Sequence, residues 1–314
     1  MSRVEPDAAL VRADSTTALD MRSAASQQAR AAIIGDVAIR LANLVIGASA
    51  ERGITLMPLK GVLLLSRWPE LRGARDLVDV DFIVQPSELD ALTTVLTGLG
   101  FEANTRSTAA RTFAHDSWPL SLDVHRDLFP HGLFAMSTEE LFSRAEVDAS
   151  LFSAPVARMS DRDLFAHLVG HFVKGRESFR DATSLGDLRL LSKRRLWRDP
   201  APIGHHLRAL GLQRAAGYVL GHPSFRDEHV PSRVLRSLDL SPVDRLTIAI
   251  ARLGTRMNRG VPPWWTPHLL DRSLVAGSRS LLGHLDEGRR RLMVRLTERL
   301  GSTWRTTSAN RATP

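Results

Sequence analysis

Two aspartates one residue apart are the feature of this sequence that most suggests chemistry. Asp79 and Asp81 lie in DLVDVDFIV, at the start of an apolar run. Alternate side chains of a β-strand point to the same face, so both carboxylates project together while Val80 and Phe82 point toward a core. The spacing predicts a pair of carboxylates on one face of a sheet. The alternative is a solvated strand end.

A third aspartate lies in a second alternating segment, SLDVH, about forty residues later. Asp123 stands between Leu122 and Val124, and it would join the pair if the two strands are neighbours. We call Asp79, Asp81 and Asp123 the carboxylate cluster. Three hard oxygen ligands on one sheet edge suit Mg²⁺. His125 shares the face of Asp123, and we expect either a structural histidine at the core edge or a group that supports a metal ligand.

A glycine turn precedes the first aspartate pair. The apolar segment 54–57 predicts a strand, Leu59-Lys60-Gly61 a turn, and residues 62–68 a helix. A helix N-terminus after a glycine offers free backbone N–H groups to an anion, and Lys60 adds a positive charge. The alternative is an ordinary surface lysine at a helix start.

The elements that must position these residues form an α+β first half. Residues 1–20 read as a disordered tail. Further elements are predicted from periodicity and breakers: helices over 21–52 and 88–99, and strands over 78–84, 101–105, 111–115 and 120–126, the last two forming an antiparallel hairpin.

The second half is helical, and we place the boundary near Ser150. Ser160 with Asp163 resembles a capping box at the start of its first helix. The predicted domains are therefore 21–150, with the sheet, and 151–314. Helices are predicted over 161–174, 182–196, 202–210, 212–220, 242–257 and 269–299.

Composition excludes several classes of protein. The chain has 314 residues, 43% hydrophobic and 24% charged, which is enough for a globular core. It has no cysteine, so disulfides, thiolate metal sites and cysteine nucleophiles are excluded. Neither a signal peptide nor a membrane span is expected, and the predicted location is cytoplasmic.

Charge divides the chain unevenly. Residues 1–150 hold 14 Lys and Arg against 20 Asp and Glu, whereas the remainder holds 28 against 14. An acidic half with clustered carboxylates beside a basic half suits an enzyme that acts on phosphorylated substrates. A general preference for arginine over lysine is the alternative explanation.

The succession LKG, helix, arginine-containing loop, DVDFIV and LDVH resembles the uncharacterised nucleotidyltransferase family of the DNA polymerase β-like superfamily. The run DLFAHLVGHFVKGRESFRDATSLGDLRLL is similar to the helical C-terminal part of that family. The resemblance implies a small, palm-like mixed-sheet domain followed by an all-helical domain. It also implies that Asp79, Asp81 and Asp123 bind divalent metal.

The resemblance further implies nucleotide-binding residues. Lys60 and Gly61 match the glycine turn that holds the nucleotide phosphates, and Arg75 matches the arginine before the carboxylate strand. The superfamily turn usually has two small residues, whereas this chain has one glycine. Arg75 is alternatively a salt-bridge partner of Asp76.

Other polar residues of the second half could face a substrate cleft. His171 and Lys174 share a helix face and could meet a substrate phosphate, with Asp187 orienting one of them. His167 and His171 have a zinc-compatible spacing, but no third ligand is evident. The pair Trp264-Trp265 is expected to pack a loop, and the basic end of the last helix to face solvent.

These observations together predict a metal-dependent nucleotidyltransferase. It would move an NMP group from an NTP, such as ATP, to a hydroxyl of a small molecule, peptide or protein, with Mg²⁺ or alternatively Mn²⁺. Nucleic acid is a less favoured partner. The alternative function is a catalytically inactive, basic RNA-binding or scaffold protein that retains the fold.

Overall fold

The structure is a computed structural model that describes residues 8–104, 110–129, 133–175, 182–193, 199–225 and 228–257. Trp264-Trp265 and the predicted helix over 269–299 lie outside these residues, so the predictions made for them stay predictions.

The alternating segments of the first half form a mixed five-stranded sheet with the order β1-β2-β5-β4-β3. Strands β2 and β5 are parallel, and the other neighbouring pairs are antiparallel. The predicted α+β class and the antiparallel pairing of β4 with β5 are confirmed. The strands are β1 (Met57–Pro58), β2 (Asp79–Ile83), β3 (Glu102–Asn104), β4 (Ala110–Ala114) and β5 (Ser121–His125).

Helices α1 (Ala8–Ala50) and α3 (Leu89–Gly98) pack on the sheet. Helix α1 begins within the stretch that the sequence assigned to a tail, because alanine and leucine there favour a helix. By length and composition alone, residues Ala25–Ala50 could cross a membrane, a criterion that a core helix also meets, and the expectation of no membrane span stays a prediction. One face of this segment, which includes Leu41, Val45 and Ile46, is nevertheless buried in the core of the sheet.

Helix α2 (Lys60–Arg67) lies between two apolar clusters. Its Val62 packs with the sheet and α1, whereas Leu63 and Leu64 pack with the helices of the second half. The N–H of Ala157 also donates to the carbonyl of Leu56 (2.9 Å), across the predicted boundary near residue 150. The two halves are therefore in close contact at α2, and their division into separate domains stays a prediction.

From Thr138 onward, the described residues form seven α-helices and a two-stranded antiparallel sheet of β6 and β7, of which α4 and β6 precede the predicted boundary near Ser150. Helix α4, helix α9 and the small sheet were not predicted. Helix α4 has only six residues, α9 contains Pro231 near its start, and Val147 of β6 is 78% exposed. The elements are α4 (Thr138–Ser143), β6 (Glu146–Asp148), β7 (Val156–Arg158), α5 (Asp161–Gly175), α6 (Ala182–Lys193), α7 (Ala201–Ala209), α8 (Gln213–Leu220), α9 (His229–Ser237) and α10 (Pro242–Met257).

Asp163 joins three of these helices through a buried polar network. Its backbone N–H donates to the Ser160 hydroxyl (3.1 Å), as expected of the N-cap. Its carboxylate accepts from Arg144 (2.9 Å), and His206 Nε2 lies 3.1 Å from it. Burial alone would raise the pKa of Asp163, but the hydrogen bonds from His206, Arg144 and Ser160 lower it to about 2.

The Asp163→Asn substitution should destabilise the protein by about 2 kcal/mol at neutral pH. Because the pKa is lowered in the folded state, this stabilisation is complete above the ordinary value of 3.8 and is lost as the pH falls toward about 2. Urea unfolding of both proteins over a pH series measures it, and the difference should shrink on the acid side.

Asp239→Asn is the control, because the Asp239 side chain is 87% exposed and lies 3.4 Å from Arg208. An exposed ion pair contributes about 0–1 kcal/mol, so this variant should unfold much like the parent. If the free energies of unfolding of Asp163→Asn and the parent differ by the same amount down to the lowest pH, the lowered pKa of Asp163 is contradicted.

Candidate active site

The parallel pairing of β2 with β5 assembles the carboxylate cluster. Asp81 is directly opposite Asp123, and Asp79 is opposite Ser121 in the register. These positions share one face of the sheet, because alternate residues on each strand point the same way. The strand order and the register therefore allow Asp123 to lie beside Asp79 and Asp81, as the sequence predicted.

Asp81 is the most enclosed of the three carboxylates, with 5% of its surface exposed. Lys60 Nζ donates to its Oδ1 over 2.9 Å, and His125 Nε2 lies 2.9 Å from the same oxygen. Burial alone would raise the pKa of Asp81, but His125 and Lys60 lower it well below the ordinary value. Asp81 is therefore held as a carboxylate.

The pKa of Asp79 is shifted in the opposite direction to that of Asp81. Burial and the negative charges of Asp81 and Asp123 raise the pKa of Asp79 to about 6, although Lys60 and Arg75 oppose this shift. Burial is the larger cause of this shift, and repulsion by the neighbouring carboxylates adds to it. A bound cation would relieve that repulsion.

The turn before α2 holds Lys60 against the cluster. The N–H of Leu59 donates to the carbonyl of Asp81 (3.0 Å), which places the turn directly beside β2. Lys60 has a φ of 40°, a left-handed conformation that costs about 1–3 kcal/mol for a residue with a Cβ. No side chain caps the N-terminus of α2, so its backbone N–H groups are not occupied by a cap.

Arg75 connects the loop before β2 to the helical half. Its Nε and Nη2 donate to the two carboxylate oxygens of Asp187 on α6, at 3.0 and 2.7 Å. Burial would lower the pKa of Arg75, but Asp187, with the charges of Asp81 and Asp79, raises it. The alternative pairing of Arg75 with Asp76 is therefore wrong.

Gly61 makes room for the Arg75 guanidinium. A Cβ on Gly61 would lie 2.2 Å from Arg75 Nη1 and 2.3 Å from a methyl carbon of Leu77. Since Asp187 binds the guanidinium through Nε and Nη2, Arg75 could move away from such a Cβ only by breaking these hydrogen bonds. The structure thus gives Gly61 a steric role, while its predicted role in phosphate binding stays a prediction.

Helix α5 brings His167 close to Lys60, His125 and Asp81 of the site. Burial lowers the pKa of His167 well below its ordinary value, and the neighbouring basic groups His171, Lys60 and His125 lower it further. His167 is 1% exposed, and its ring centroid lies 6.0 Å from that of His171. The four-residue spacing predicted that His167 and His171 lie close together, whereas the burial of His167 near Lys60 and His125 was not predicted.

Two other residues predicted to face a cleft have contacts of their own. Lys174 Nζ donates to the carbonyl of Leu128 (3.3 Å), in the segment that follows β5. Asp187 binds Arg75, a partner that the sequence did not suggest.

One group of metal-ligating side chains occurs among the described residues. The ligand atoms of Asp81, Asp123 and His125 all lie within 4.8 Å of one another. The pair His167 and His171 is not part of such a group in the described part of the chain. A cation at the carboxylate cluster would face mainly hard oxygen donors.

A mixed sheet that holds clustered carboxylates beside a lysine-bearing helix start has the groups that metal-assisted nucleotidyl transfer requires. The chain belongs to the uncharacterised nucleotidyltransferase family, whose model matches residues 13–224, more than half of the chain. The family identified from LKG, DVDFIV and LDVH is confirmed. No curated protein sequence matches the chain.

Two solved structures are similar to part of the chain. One is a solution structure of the antibiotic-resistance factor ANT(2'')-Ia, with 15% identity and a TM-score of 0.40 over 49% of this chain and 82% of that one. The other is a crystal structure of ANT(2'')-Ia in complex with adenylyl-2''-tobramycin, with 15% identity and a TM-score of 0.40 over 55% of this chain and 95% of that one. The family assignment rests on the sequence match.

The Gly61→Ala substitution should displace Arg75 from Asp187 and destabilise the protein by about 1–3 kcal/mol, because the new methyl overlaps a fixed guanidinium. Denaturant unfolding measures the loss. In a double-mutant cycle with Asp187→Asn, the double variant should lose less stability than the sum of the two single losses, since both substitutions break the same contact.

Gly186→Ala is the matched control. Gly186 lies in α6 next to Asp187, and a Cβ there would have no heavy atom within 4 Å. Alanine in a helix is favoured over glycine by about 0.5–1 kcal/mol, so this variant should be at least as stable as the parent. Equal stability of Gly61→Ala and Gly186→Ala would refute the steric role of Gly61.

Proposed function

We propose that the protein transfers an NMP group from an NTP to a hydroxyl acceptor and that the reaction requires a divalent cation. The observation that carries this proposal is that Asp81 and Asp123 lie opposite each other on neighbouring parallel strands, with ligand atoms within 4.8 Å of each other and of His125. The family membership supports the reaction class.

The side chains present fit a divalent cation. Asp79, Asp81 and Asp123 would hold it, because the cluster concentrates negative charge that Lys60 and Arg75 offset in part. Hard oxygen donors favour Mg²⁺, and Mn²⁺ accepts the same ligands. When bound, such a cation stabilises negative charge on the attacking and leaving oxygens.

The positive end of the site would hold the triphosphate. The N-terminus of α2 carries no side-chain cap and lies beside the carboxylate strand through the bond from Leu59 to Asp81. Backbone N–H groups and the helix dipole favour phosphate there. Lys60 and Arg75 add charge on the same side, and Asp187 keeps the guanidinium of Arg75 oriented.

The transfer forms one bond and breaks one. The acceptor oxygen attacks the α-phosphorus, the bond from that phosphorus to the oxygen bridging to the β-phosphate breaks, and pyrophosphate leaves with the bonding electron pair. The proton of the acceptor hydroxyl passes to a base, and we assign this role to Asp123, which the register places opposite Asp81. The acceptor would be a small molecule, peptide or protein.

The substitutions Asp79→Asn, Asp81→Asn and Asp123→Asn should each lower the rate of NMP transfer by at least about 10²-fold, because each removes a negative charge that binds the cation or accepts the proton. The assay incubates the protein with each α-labelled NTP, Mg²⁺ or Mn²⁺ and a cell extract, and follows label in the acceptor fraction.

Asp116→Asn serves as the control, since Asp116 is an exposed aspartate in the turn between β4 and β5. This variant should transfer label at the rate of the parent. An absence of label transfer with all four nucleotides and both ions, for a folded parent protein, would favour the inactive RNA-binding or scaffold alternative.

A further inference from the structure

The two oxygens of the Asp81 carboxylate have different surroundings. Oδ1 is shared by Lys60 Nζ and His125 Nε2, each at 2.9 Å. Oδ2 makes no hydrogen bond within the described part of the chain. Since Oδ1 is occupied by two nitrogen groups, a cation at the carboxylate cluster would meet Asp81 through Oδ2.

His125 could take part in such a site in two ways. It could bind the cation directly through Nε2, which lies 2.9 Å from Asp81 Oδ1, because a ring nitrogen of His125 is within 4.8 Å of ligand atoms of Asp81 and Asp123. Alternatively, it could donate an Nε2–H hydrogen bond to Oδ1 and fix the rotation of the carboxylate. The two arrangements require opposite tautomers of the imidazole ring.

The other ring nitrogen distinguishes between these tautomers. His125 Nδ1 is buried and has no hydrogen-bond partner among the described residues. Direct binding through Nε2 would place the proton on Nδ1 and bury a donor without an acceptor, and a histidine that binds metal almost always donates its second N–H. With the proton on Nε2, Nδ1 is a bare acceptor, and a buried acceptor without a partner is tolerated better than such a donor.

We propose that His125 is a positioning residue for the metal centre. It donates its Nε2–H to Oδ1 of Asp81 and, together with Lys60, leaves Oδ2 as the oxygen that faces the cation. This inference rests on the proposed function, since it assigns a role within that metal centre.

The backbone supports this role. His125 follows Asp123 by two residues on β5 and is opposite Ile83 in the register, so its ring projects from the same sheet face as the cluster. Its side chain is 10% exposed and that of Asp81 is 5% exposed. A hydrogen bond between two enclosed groups on neighbouring central strands restricts the rotation of the carboxylate.

The test compares His125→Gln with His125→Asn in the full-length protein. The amide nitrogen of glutamine can reach the place of Nε2 and donate to Oδ1, whereas the shorter asparagine places its amide near the position of Nδ1. Mn²⁺ binding without nucleotide is measured from the free-ion signal in electron paramagnetic resonance. Thermal unfolding is used to check that both variants are folded.

We expect His125→Asn to bind Mn²⁺ about 10–100-fold more weakly than the parent, which is the usual effect of losing a group that orients a metal ligand. His125→Gln should restore most of the affinity. The pulsed resonance spectrum of Mn²⁺ bound to the parent should show no coupling to a directly bound imidazole nitrogen.

Two results would overturn the positioning role while leaving the metal centre intact. One is unchanged Mn²⁺ affinity in a folded His125→Asn protein. The other is a strong imidazole nitrogen coupling in the parent that disappears in His125→Gln, which would make His125 a direct ligand. A parent protein that binds no Mn²⁺, with or without NTP, would instead refute the metal centre of the proposed function and, with it, any role of His125 there.

Discussion

A carboxylate enclosed in a protein must be compensated by nearby positive charge or hydrogen-bond donors, and Asp81 imposes this requirement on its surroundings. The left-handed backbone of Lys60 brings an ammonium to Oδ1, and β5 brings His125 to the same oxygen. Asp79 has less compensation, and its pKa is raised. The site therefore combines one carboxylate that is firmly ionised with a neighbour that gains most from an added cation.

The contact between the two halves depends on a second buried pair. Arg75 and Asp187 are joined by two parallel hydrogen bonds, with side chains 12% and 8% exposed. A buried pair of this kind contributes geometric specificity more reliably than net stability. Here it orients a guanidinium beside Asp79 and Asp81, and Gly61 provides the space. Helix α6 of the second half thus takes part in the electrostatics of a site on the sheet.

Local patterns in the sequence predicted much of this arrangement. The alternation around Asp81 and Asp123 indicated both strands, and three-to-four residue periods indicated α5, α7, α8 and α10. The pairing of Arg75 with Asp187 could not be predicted, because no local period links a loop to a helix 112 residues away. The spacing of His167 and His171 suggested a shared face, but the complete burial of His167 follows from tertiary packing. The role of Asp163 beyond its cap likewise depends on α4 and α7.

The long chain separation within the Arg75–Asp187 pair also bears on how the protein folds. Contacts between residues distant in sequence form late, because the chain loses the entropy of closing a long loop before the contact stabilises it. The sheet can place Asp81 beside Lys60 and His125 over separations of 21 and 44 residues before α6 arrives. Local unfolding of α6 would then release Arg75 while the carboxylates stay in register. The enzyme would lose the orientation of its guanidinium before it loses its sheet.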